Sequence, residues 1–366
     1  MSSSFNLLRA LTKGFILFLL IAFLVALPLP GLGKVSAYNL LFPGRPRLPF
    51  GENPSEAYNF SLYDLDAMFA AHEISGETKP SDEFRVLVIG DSSVWGTLLR
   101  PEETLSARLN SAAPVYCGRT AWFYNLGYPT ITVTKDLMLM DYAARYQPDH
   151  IIWLTTLEAL PLDKQLDTPL VANNAAVIDS LVARYDLPLD LDDPSLVRPS
   201  FWDRTLFGQR RALADLLRLQ LYGVPWSATG VDQVYPSYPS PQTDFAEDDD
   251  KFHEMSAPLD GSALAYEILA AGMTHAPAPI LLVNEPILIS TGQNSHIRYN
   301  FFYPRWAYDA YRIQLGDLAQ TGDWDYLDLW DLLPPAEFTN SAIHLTPAGE
   351  MILAQTILAA LHPDCQ

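Results

Sequence analysis

The stretch FRVLVIGDSSVWGTLL, residues 84 to 99, decides the fold class. Its first half is an apolar strand without polar alternation, which is typical of a strand covered on both faces. Gly90, Asp91 and Ser92 follow directly, so the strand ends in a turn that carries a serine. That serine is either a nucleophile at the edge of a sheet or an ordinary N-cap residue of a short helix. The rest of the chain has to distinguish these two interpretations.

Apolar strands alternate with helical patterns along much of the chain. Strands alternating with helices build βαβ units, so we predict an α/β fold with a parallel sheet. The predicted strands cover residues 84–90, 122–129, 148–156, 278–286 and 323–330, and the main predicted helices cover residues 101–110, 132–146 and 346–361.

Composition and charge exclude one class of function. The chain has 366 residues, of which 49% are hydrophobic, and a formal net charge of −20. Because nucleic-acid binding needs clustered Lys and Arg, this charge argues against a nucleic-acid partner. The two cysteines, Cys117 and Cys365, are compatible with a disulfide or with two unrelated thiols, and we expect unrelated thiols.

The N-terminal region contains an uncharged stretch, FILFLLIAFLVALPLP, at residues 15–30. We predict a cytoplasmic tail (1–13), a transmembrane anchor (14–33), a juxtamembrane connector (34–80) and a domain outside the cytoplasm (81–366). This makes the protein a single-pass protein of the cell membrane. The alternative is a signal peptide cleaved near Ala37, which would yield a secreted protein.

A long insertion, residues 160–275, interrupts the alternation and is expected to be mostly helical. It contains a basic helix, RRALADLLRLQLYG (210–223), and an acidic run, DFAEDDDKFHE (244–254). We expect the acidic run to be a solvated loop, because consecutive carboxylates repel one another. A metal site that combines these aspartates with His253 lacks the usual ligand spacing.

Polar residues follow the predicted strands at the carboxyl edge of the sheet, where open α/β sheets bind ligands. A serine is a weak nucleophile unless a base lies within about 3 Å of it. Ser92 follows the first strand and His344 precedes the last helix, so both lie at this edge and are able to meet. The other candidates there are Gly127, Thr155 to Glu158, Asn284 and Glu285.

Three sequence blocks, GDSS (90–93), NLGYP (125–129) and IHLTPAG (343–349), resemble the SGNH/GDSL hydrolase superfamily in their order and spacing. The similarity covers residues 84–156 and 278–361. It implies a flavodoxin-like α/β/α fold, with Ser92 as nucleophile and His344 as general base. By the same resemblance, the backbone N–H groups of Ser92 and Gly127 donate to the oxyanion, and no cofactor or metal is required.

The third block of the family usually supplies an oxyanion donor from an asparagine in a G-x-N-D arrangement. Here the corresponding stretch is WLTTLEAL, and Leu157 matches the asparagine. Because leucine has no side-chain donor, Thr155 or Thr156 would have to replace it.

The last block of the family is D-x-x-H, in which the carboxylate orients the histidine. Ser341 stands three residues before His344, and a hydroxyl stabilises an imidazolium less than a carboxylate does. Either Ser92 and His344 act as a dyad, or another group orients the ring. The candidates for that role are Asp328, Asp331, Asn340 and Ser341.

Within the superfamily, the chain is loosely similar to membrane-anchored envelope proteins such as the D-alanyl transfer and alginate O-acetylation proteins. This likeness implies an acyl ester of an envelope glycan or lipid as substrate, and a membrane-bound O-acyltransferase as partner. We therefore expect a serine-dependent ester hydrolase or O-acyltransferase. The alternative is a non-catalytic scaffold with the same fold, which Leu157 and Ser341 favour.

An aromatic segment, YNFFYPRW (299–306), lies close to His296, Arg298 and Arg305. Aromatic faces pack on sugar rings, so the segment could form a carbohydrate platform. It could equally pack against the insertion, and the sequence does not distinguish the two.

Overall fold

A computed structural model of the protein describes residues 7–27, 44–50, 63, 65–76, 78–211, 214, 217, 221, 239–363 and 365. The strands are β1 (Glu83–Ile89), β2 (Val115–Tyr116), β3 (Arg119–Asn125), β4 (His150–Thr155), β5 (Ile280–Asn284) and β6 (Asp325–Asp328). The α-helices are α1 (Leu7–Val25), α2 (Leu65–Ala70), α3 (Ser92–Trp95), α4 (Leu105–Ser111), α5 (Val133–Ala143), α6 (Pro169–Ala172), α7 (Ala175–Tyr185), α8 (Tyr266–His275), α9 (Arg305–Thr321) and α10 (Pro347–Ala360).

The strands form one sheet in the order β2-β3-β1-β4-β5-β6. The last five strands in this order are parallel to one another, and their arrangement is the flavodoxin-like one. The sheet is not wholly parallel, because β2 pairs antiparallel with β3 at the edge. The connection has left-handed residues at Cys117 (φ 53°) and Gly118 (φ 74°), which suits a two-residue hairpin turn.

Helices cover both faces of the sheet. On one face, α4 and α10 bury residues such as Leu109 and Ile357 against Val88 and Ile152. On the other face, α5, α7, α8 and α9 contribute to a larger core around Trp153. Strands buried on both sides need continuous apolar runs, which is what β1 and β4 provide. The predicted α/β/α fold is confirmed.

The insertion is described only in part. Residues 160–211 and 239–275 are described and include α6, α7 and α8. Of the predicted basic helix, Arg210, Arg211, Ala214, Leu217 and Leu221 are described and helical. The rest of that predicted helix lies outside the described residues.

The predicted connector is part of the domain wherever it is described. Leu48, Phe69 and Ile74 are buried in the larger core. The guanidinium of Arg47 donates to the carbonyl oxygens of Gly96 (3.1 Å) and Leu99 (3.2 Å). These residues therefore pack beside β1 and α3, and do not form a separate linker. Residues 34–43 of the predicted connector lie outside the described residues.

Helix α1 starts earlier than the predicted anchor. It begins at Leu7, includes Arg9 and Lys13, and ends at Val25. The apolar residues before Gly14 continue the helix, and residues 28–33 of the predicted anchor are not among the described ones. The helix is long and apolar enough to cross a membrane, a property that signal sequences near an N-terminus share.

The two cysteines form a disulfide, so the expectation of unrelated thiols is wrong. Cys117 in the β2–β3 turn is bonded to Cys365, with Cα atoms 5.2 Å apart and 248 positions apart in the chain. The bridge ties the C-terminus to the edge of the sheet. A pairing over such a separation depends on the fold, which is why two isolated cysteines did not reveal it.

Candidate active site

The turn after β1 positions Ser92 at the carboxyl edge of the sheet. Asp91 caps α3, since its side chain accepts from the N–H of Ser93 at 2.8 Å. Buried Lys135 donates from Nζ to the carbonyl oxygens of Gly90 (2.7 Å) and Tyr128 (3.1 Å). This lysine ties the turn after β1 to the turn after β3. The sequence analysis did not predict this role of Lys135. The feature that could have indicated it is a Lys-Asp pair within an otherwise largely apolar helix.

Ser92 and His344 meet at this edge. The Oγ of Ser92 lies 2.7 Å from Nε2 of His344, although the residues are 252 positions apart. Ser92 is the first residue of α3, and His344 stands in the loop before α10. A hydroxyl and an imidazole nitrogen at this distance have the geometry of a nucleophile and its base.

Asn340 contacts the other nitrogen of the ring. Its Oδ1 lies 2.9 Å from Nδ1 of His344. An amide oxygen only accepts, so this contact places the ring proton on Nδ1 and leaves Nε2 free to accept the proton of Ser92. Ser92, His344 and Asn340 therefore form a Ser-His-Asn arrangement.

The structure places the other three candidates for the orienting role elsewhere. Asp328 accepts from Asn284 at 2.8 Å and from Arg312 at 2.6 Å, between β5, β6 and α9. Asp331 is exposed and is not hydrogen-bonded to the ring. The Oγ of Ser341 accepts from the N–H of Ile343 at 3.4 Å. The geometry therefore favours Asn340 over these three residues.

Burial lowers the pKa of His344 to about 4. The cause is desolvation of the charged ring, and the neighbouring Asn340 carries no charge that would oppose it. At neutral pH the imidazole is therefore neutral and able to accept a proton.

The two backbone N–H groups predicted as oxyanion donors have different environments. The N–H of Gly127 is not free, because it donates to Oδ1 of Asn125 at 3.0 Å. Gly127 instead allows close packing, since a Cβ there would lie 2.3 Å from the backbone nitrogen of Trp95 in α3. The N–H of Ser92 has no acceptor among the hydrogen bonds of the described residues. It is the better candidate donor of the two.

The third block contributes two hydroxyls and a buried leucine. Thr155 is buried, and its hydroxyl has no hydrogen-bond partner within the described part of the chain. Thr156 contacts the hydroxyl of Tyr303 at 2.9 Å. Leu157 is fully buried. Of the two threonines, Thr155 is therefore the one whose hydroxyl is unpaired among the described residues, although it is buried.

A buried pair of glutamates, Glu285 and Glu350, lies beside Ser93, the residue that follows Ser92, and the sequence analysis did not predict this pair. The Oγ of Ser93 donates to Oε2 of Glu285 at 2.5 Å. Ser93, Glu285 and Glu350 line a cavity of about 10 Å³, enough for one water molecule. Burial raises the pKa of Glu350 to about 8 and that of Glu285 well above its usual range. The Glu350 carboxyl is therefore mostly neutral near pH 7.

The acidic run of the insertion is anchored at its backbone. Its aspartates are exposed, as expected of a solvated loop. Buried Arg298 donates to the carbonyl oxygen of Lys251 at 3.2 Å, and so holds the loop. Nε2 of His253 lies 2.8 Å from Glu158, which also pairs with Lys164. Among the described residues, no group of three or more His, Cys, Asp or Glu side chains could hold a metal ion.

The aromatic segment packs against the insertion. Tyr299 and Tyr303 are buried, and the indole N–H of Trp306 donates to the carbonyl of Asp250 at 2.8 Å. The guanidinium of Arg305 stacks on Tyr299, 4.2 Å from the ring centroid. These contacts favour packing over a free carbohydrate platform.

Asn284 also has a structural environment. It is fully buried, and its Oδ1 accepts from the hydroxyl of Tyr311 at 3.0 Å. His296 is exposed. The structure brings neither residue to the Ser92–His344 pair by a hydrogen bond.

No family model matches the chain, and no curated protein matches it. Among solved structures, it is similar to an alpha/beta hydrolase enzyme from the metagenome of Lake Arreo, Spain, with 15% identity, coverage of 75% of this chain and 94% of that chain, and a TM-score of 0.34. It is also similar to an acetylxylan esterase from Geobacillus stearothermophilus (15% identity, 75% and 93% covered, TM-score 0.33). A third match is an aryl esterase from M. smegmatis (13% identity, 76% and 99% covered, TM-score 0.32). Likenesses of this size carry no argument about activity, so the functional argument rests on the site itself.

Proposed function

We propose that this protein is a serine-dependent ester hydrolase or O-acyltransferase that acts outside the cytoplasm on acyl esters of a cell-envelope glycan or lipid. The observation that carries the proposal is the 2.7 Å contact between Ser92 Oγ and His344 Nε2, with Asn340 on the other ring nitrogen. A fold alone does not specify a function, whereas this geometry suits acyl transfer.

In the first half of the reaction, the Oγ of Ser92 attacks the acyl carbonyl while Nε2 of His344 takes the hydroxyl proton. The carbonyl oxygen becomes an oxyanion, to which the N–H of Ser92 donates. Thr155 is the second candidate donor. The C–O bond of the ester then breaks, and His344 returns its proton to the departing alcohol. An acyl-enzyme on Ser92 remains.

In the second half, water or a sugar hydroxyl attacks the acyl-enzyme, and His344 accepts the proton of the attacking group. The tetrahedral intermediate collapses, and His344 returns the proton to Ser92. Water as the acceptor gives hydrolysis, and a sugar hydroxyl gives transfer. In both halves, Asn340 keeps Nδ1 protonated and the ring in place.

Location outside the cytoplasm is supported by two features. Helix α1 is long and apolar enough to serve as a membrane anchor. The Cys117–Cys365 disulfide suits an oxidising compartment. An anchored enzyme would stay close to a membrane-bound O-acyltransferase, which we propose as the partner that supplies the acyl group.

A non-catalytic scaffold is the second candidate function. It is favoured because the amide of Asn340, and not a carboxylate, contacts Nδ1 of His344. Leu157 also favours a scaffold, because it has no side-chain donor at the position where the resemblance implies an oxyanion donor.

The substitution Ser92→Ala tests the proposal. We expect hydrolysis of a short p-nitrophenyl ester to fall by about 10³-fold or more, because the acyl-enzyme no longer forms. The melting temperature should change little. Ser341→Ala is the matched control, since Ser341 precedes His344 in the same loop but its hydroxyl accepts from the N–H of Ile343. Equal activity of Ser92→Ala and wild type would exclude Ser92 as the nucleophile, and inactivity of the wild type on all esters tried would favour the scaffold.

A further inference from the structure

An exposed aromatic loop of the insertion lies against helix α1. Phe201, Trp202 and Phe207 are 41%, 68% and 59% exposed. The ring of Phe207 meets Phe18 edge-on, with centroids 5.3 Å apart. Phe201 stacks on Phe23 at 5.8 Å. We call residues 201–207 the aromatic loop. Three large aromatic side chains so exposed are unfavourable in water and indicate a partner that covers them.

The contacts extend along α1 into its apolar part. Phe18 lies seven positions before the last residue, Val25, so it is about 10 Å from that end of the helix at 1.5 Å per residue. If α1 spans a bilayer, Phe207 therefore lies about 10 Å deep, among the acyl chains. Amphipathic segments that lie in a membrane interface bury their apolar face about 5–10 Å deep, so the depth of Phe207 is at the deep limit of that range.

The described residues that follow the loop have the same character. Ala214, Leu217 and Leu221 are helical and exposed, and their spacing of three and four residues puts them on one face. Leu217 is 65% exposed. Arg210 and Arg211 precede them and are exposed. In a chain of net charge −20, these adjacent arginines next to an apolar face suit the phosphates of lipid headgroups.

We propose that the aromatic loop and the face formed by Ala214, Leu217 and Leu221 are inserted into the bilayer interface beside α1. The occupant of this surface is the lipid of the membrane that α1 crosses, so the inference rests on the proposed anchor. Aromatic side chains are favoured at the interface because their rings are apolar and the indole N–H reaches the headgroups.

This second attachment restricts the orientation of the domain. A single membrane-spanning helix leaves the tilt of a domain unrestricted, whereas contact at the loop and at α1 holds one side of the insertion against the membrane. The Ser92–His344 site then keeps a fixed direction relative to the membrane surface.

Spin labels on single cysteines test the inference in the full-length protein. Cys117 and Cys365 are the two cysteines of the chain and are bonded to each other, so an introduced cysteine is the reactive thiol. Labels at Trp202→Cys and Phe207→Cys are compared in lipid nanodiscs with labels at Phe18→Cys and Ile313→Cys. Ile313 is the matched control, because it is 67% exposed on α9 of the domain. The measured quantity is the ratio of label accessibility to oxygen and to a water-soluble nickel complex.

We expect this ratio at positions 202 and 207 to be several-fold higher than at 313, and to resemble that at 18. A ratio at 202 and 207 equal to that at 313, with a high ratio at 18, would overturn the inference and leave the anchor intact. Equally low ratios at all four positions would overturn both the inference and the anchor. Neither outcome bears on the Ser92→Ala result, so the two proposals fail separately.

Discussion

At the scale of single residues, the chemistry depends on what faces Nδ1 of His344. An asparagine fixes the tautomer by hydrogen bonding but adds no charge, and the ring is half-buried. Asn340 therefore orients the ring, but it does not stabilise the charged imidazolium as a carboxylate does. A base with a pKa of about 4 is neutral over the whole physiological range. It is ready to accept a proton but holds it weakly.

The substitution Asn340→Asp tests this interpretation. A carboxylate 2.9 Å from Nδ1 would stabilise the imidazolium and raise the pKa of His344. Because only the neutral ring acts as base, wild-type kcat/KM should decline as the pH falls through about 4. In the variant this decline should begin at higher pH, and kcat at pH 7 should rise about tenfold or more.

Ser341→Asp is the control, since Ser341 contacts Ile343 and not the ring. We expect it to move the acid limb of the pH profile less than Asn340→Asp does. The same acid limb in Asn340→Asp and wild type would show that Asn340 does not act on the ring.

Glu350 is a second residue whose pKa is strongly changed by its surroundings. Its pKa of about 8 in the folded protein exceeds its ordinary value of 4.5 because of burial. Between these pH values the folded state keeps a proton that the unfolded state releases. The free energy of unfolding should therefore fall with rising pH by about 1.4 kcal/mol per unit, and level off above about pH 8.

Glu350→Gln removes this dependence, because the amide does not ionise. Denaturant unfolding of both proteins in detergent at pH 4.5, 6, 7 and 8 should show a stability difference that grows with pH in favour of the variant. The lowest pH serves as the internal reference. A difference independent of pH would mean that Glu350 titrates alike in both states.

At the scale of secondary-structure elements, continuous apolar runs were the reliable signal. The interiors of β1, β4 and β5 and the core-facing residues of α10 follow from it, because burial on both faces leaves little polar alternation. Strand β2 was missed, since two residues carry no period and its pairing depends on the hairpin turn at Cys117 and Gly118.

The site was predictable only where topology alone brings residues together. Ser92 and His344 follow from the rule that carboxyl ends of parallel strands share an edge. The contact of Asn340 with the ring depends on the loop before α10, and the N–H of Gly127, predicted as an oxyanion donor, is occupied by its bond to Asn125. Residue spacing alone does not predict which of several nearby groups a side chain or N–H will hydrogen-bond.

At the scale of the whole molecule, the proposed account joins an anchor, a disulfide and a site on one domain. The segment that includes Leu48 and Phe69 leads from α1 and packs into the core. The C-terminus is bonded to the β2–β3 turn through Cys365. Both ends of the described domain are therefore fixed to it, and α1, with the aromatic loop beside it, is free to contact the membrane.

Membrane fractionation tests the anchor. Helix α1 has 19 residues and a length of about 28 Å, close to the thickness of the hydrocarbon core. We expect the full-length protein to stay in the membrane fraction through a carbonate wash and to keep its N-terminus. A soluble protein that begins at Tyr38 would show cleavage after Ala37, and hydrolysis would then be favoured over transfer from a membrane partner.

The most direct test of the central claim, that Ser92 is a nucleophile activated by His344, is covalent labelling with a fluorophosphonate. We expect one adduct per chain, mapped by mass spectrometry to Ser92, and a much slower reaction in His344→Gln because the serine loses its base. A folded protein that forms no adduct, or an adduct on another residue such as Ser93, would show that Ser92 is not an activated nucleophile.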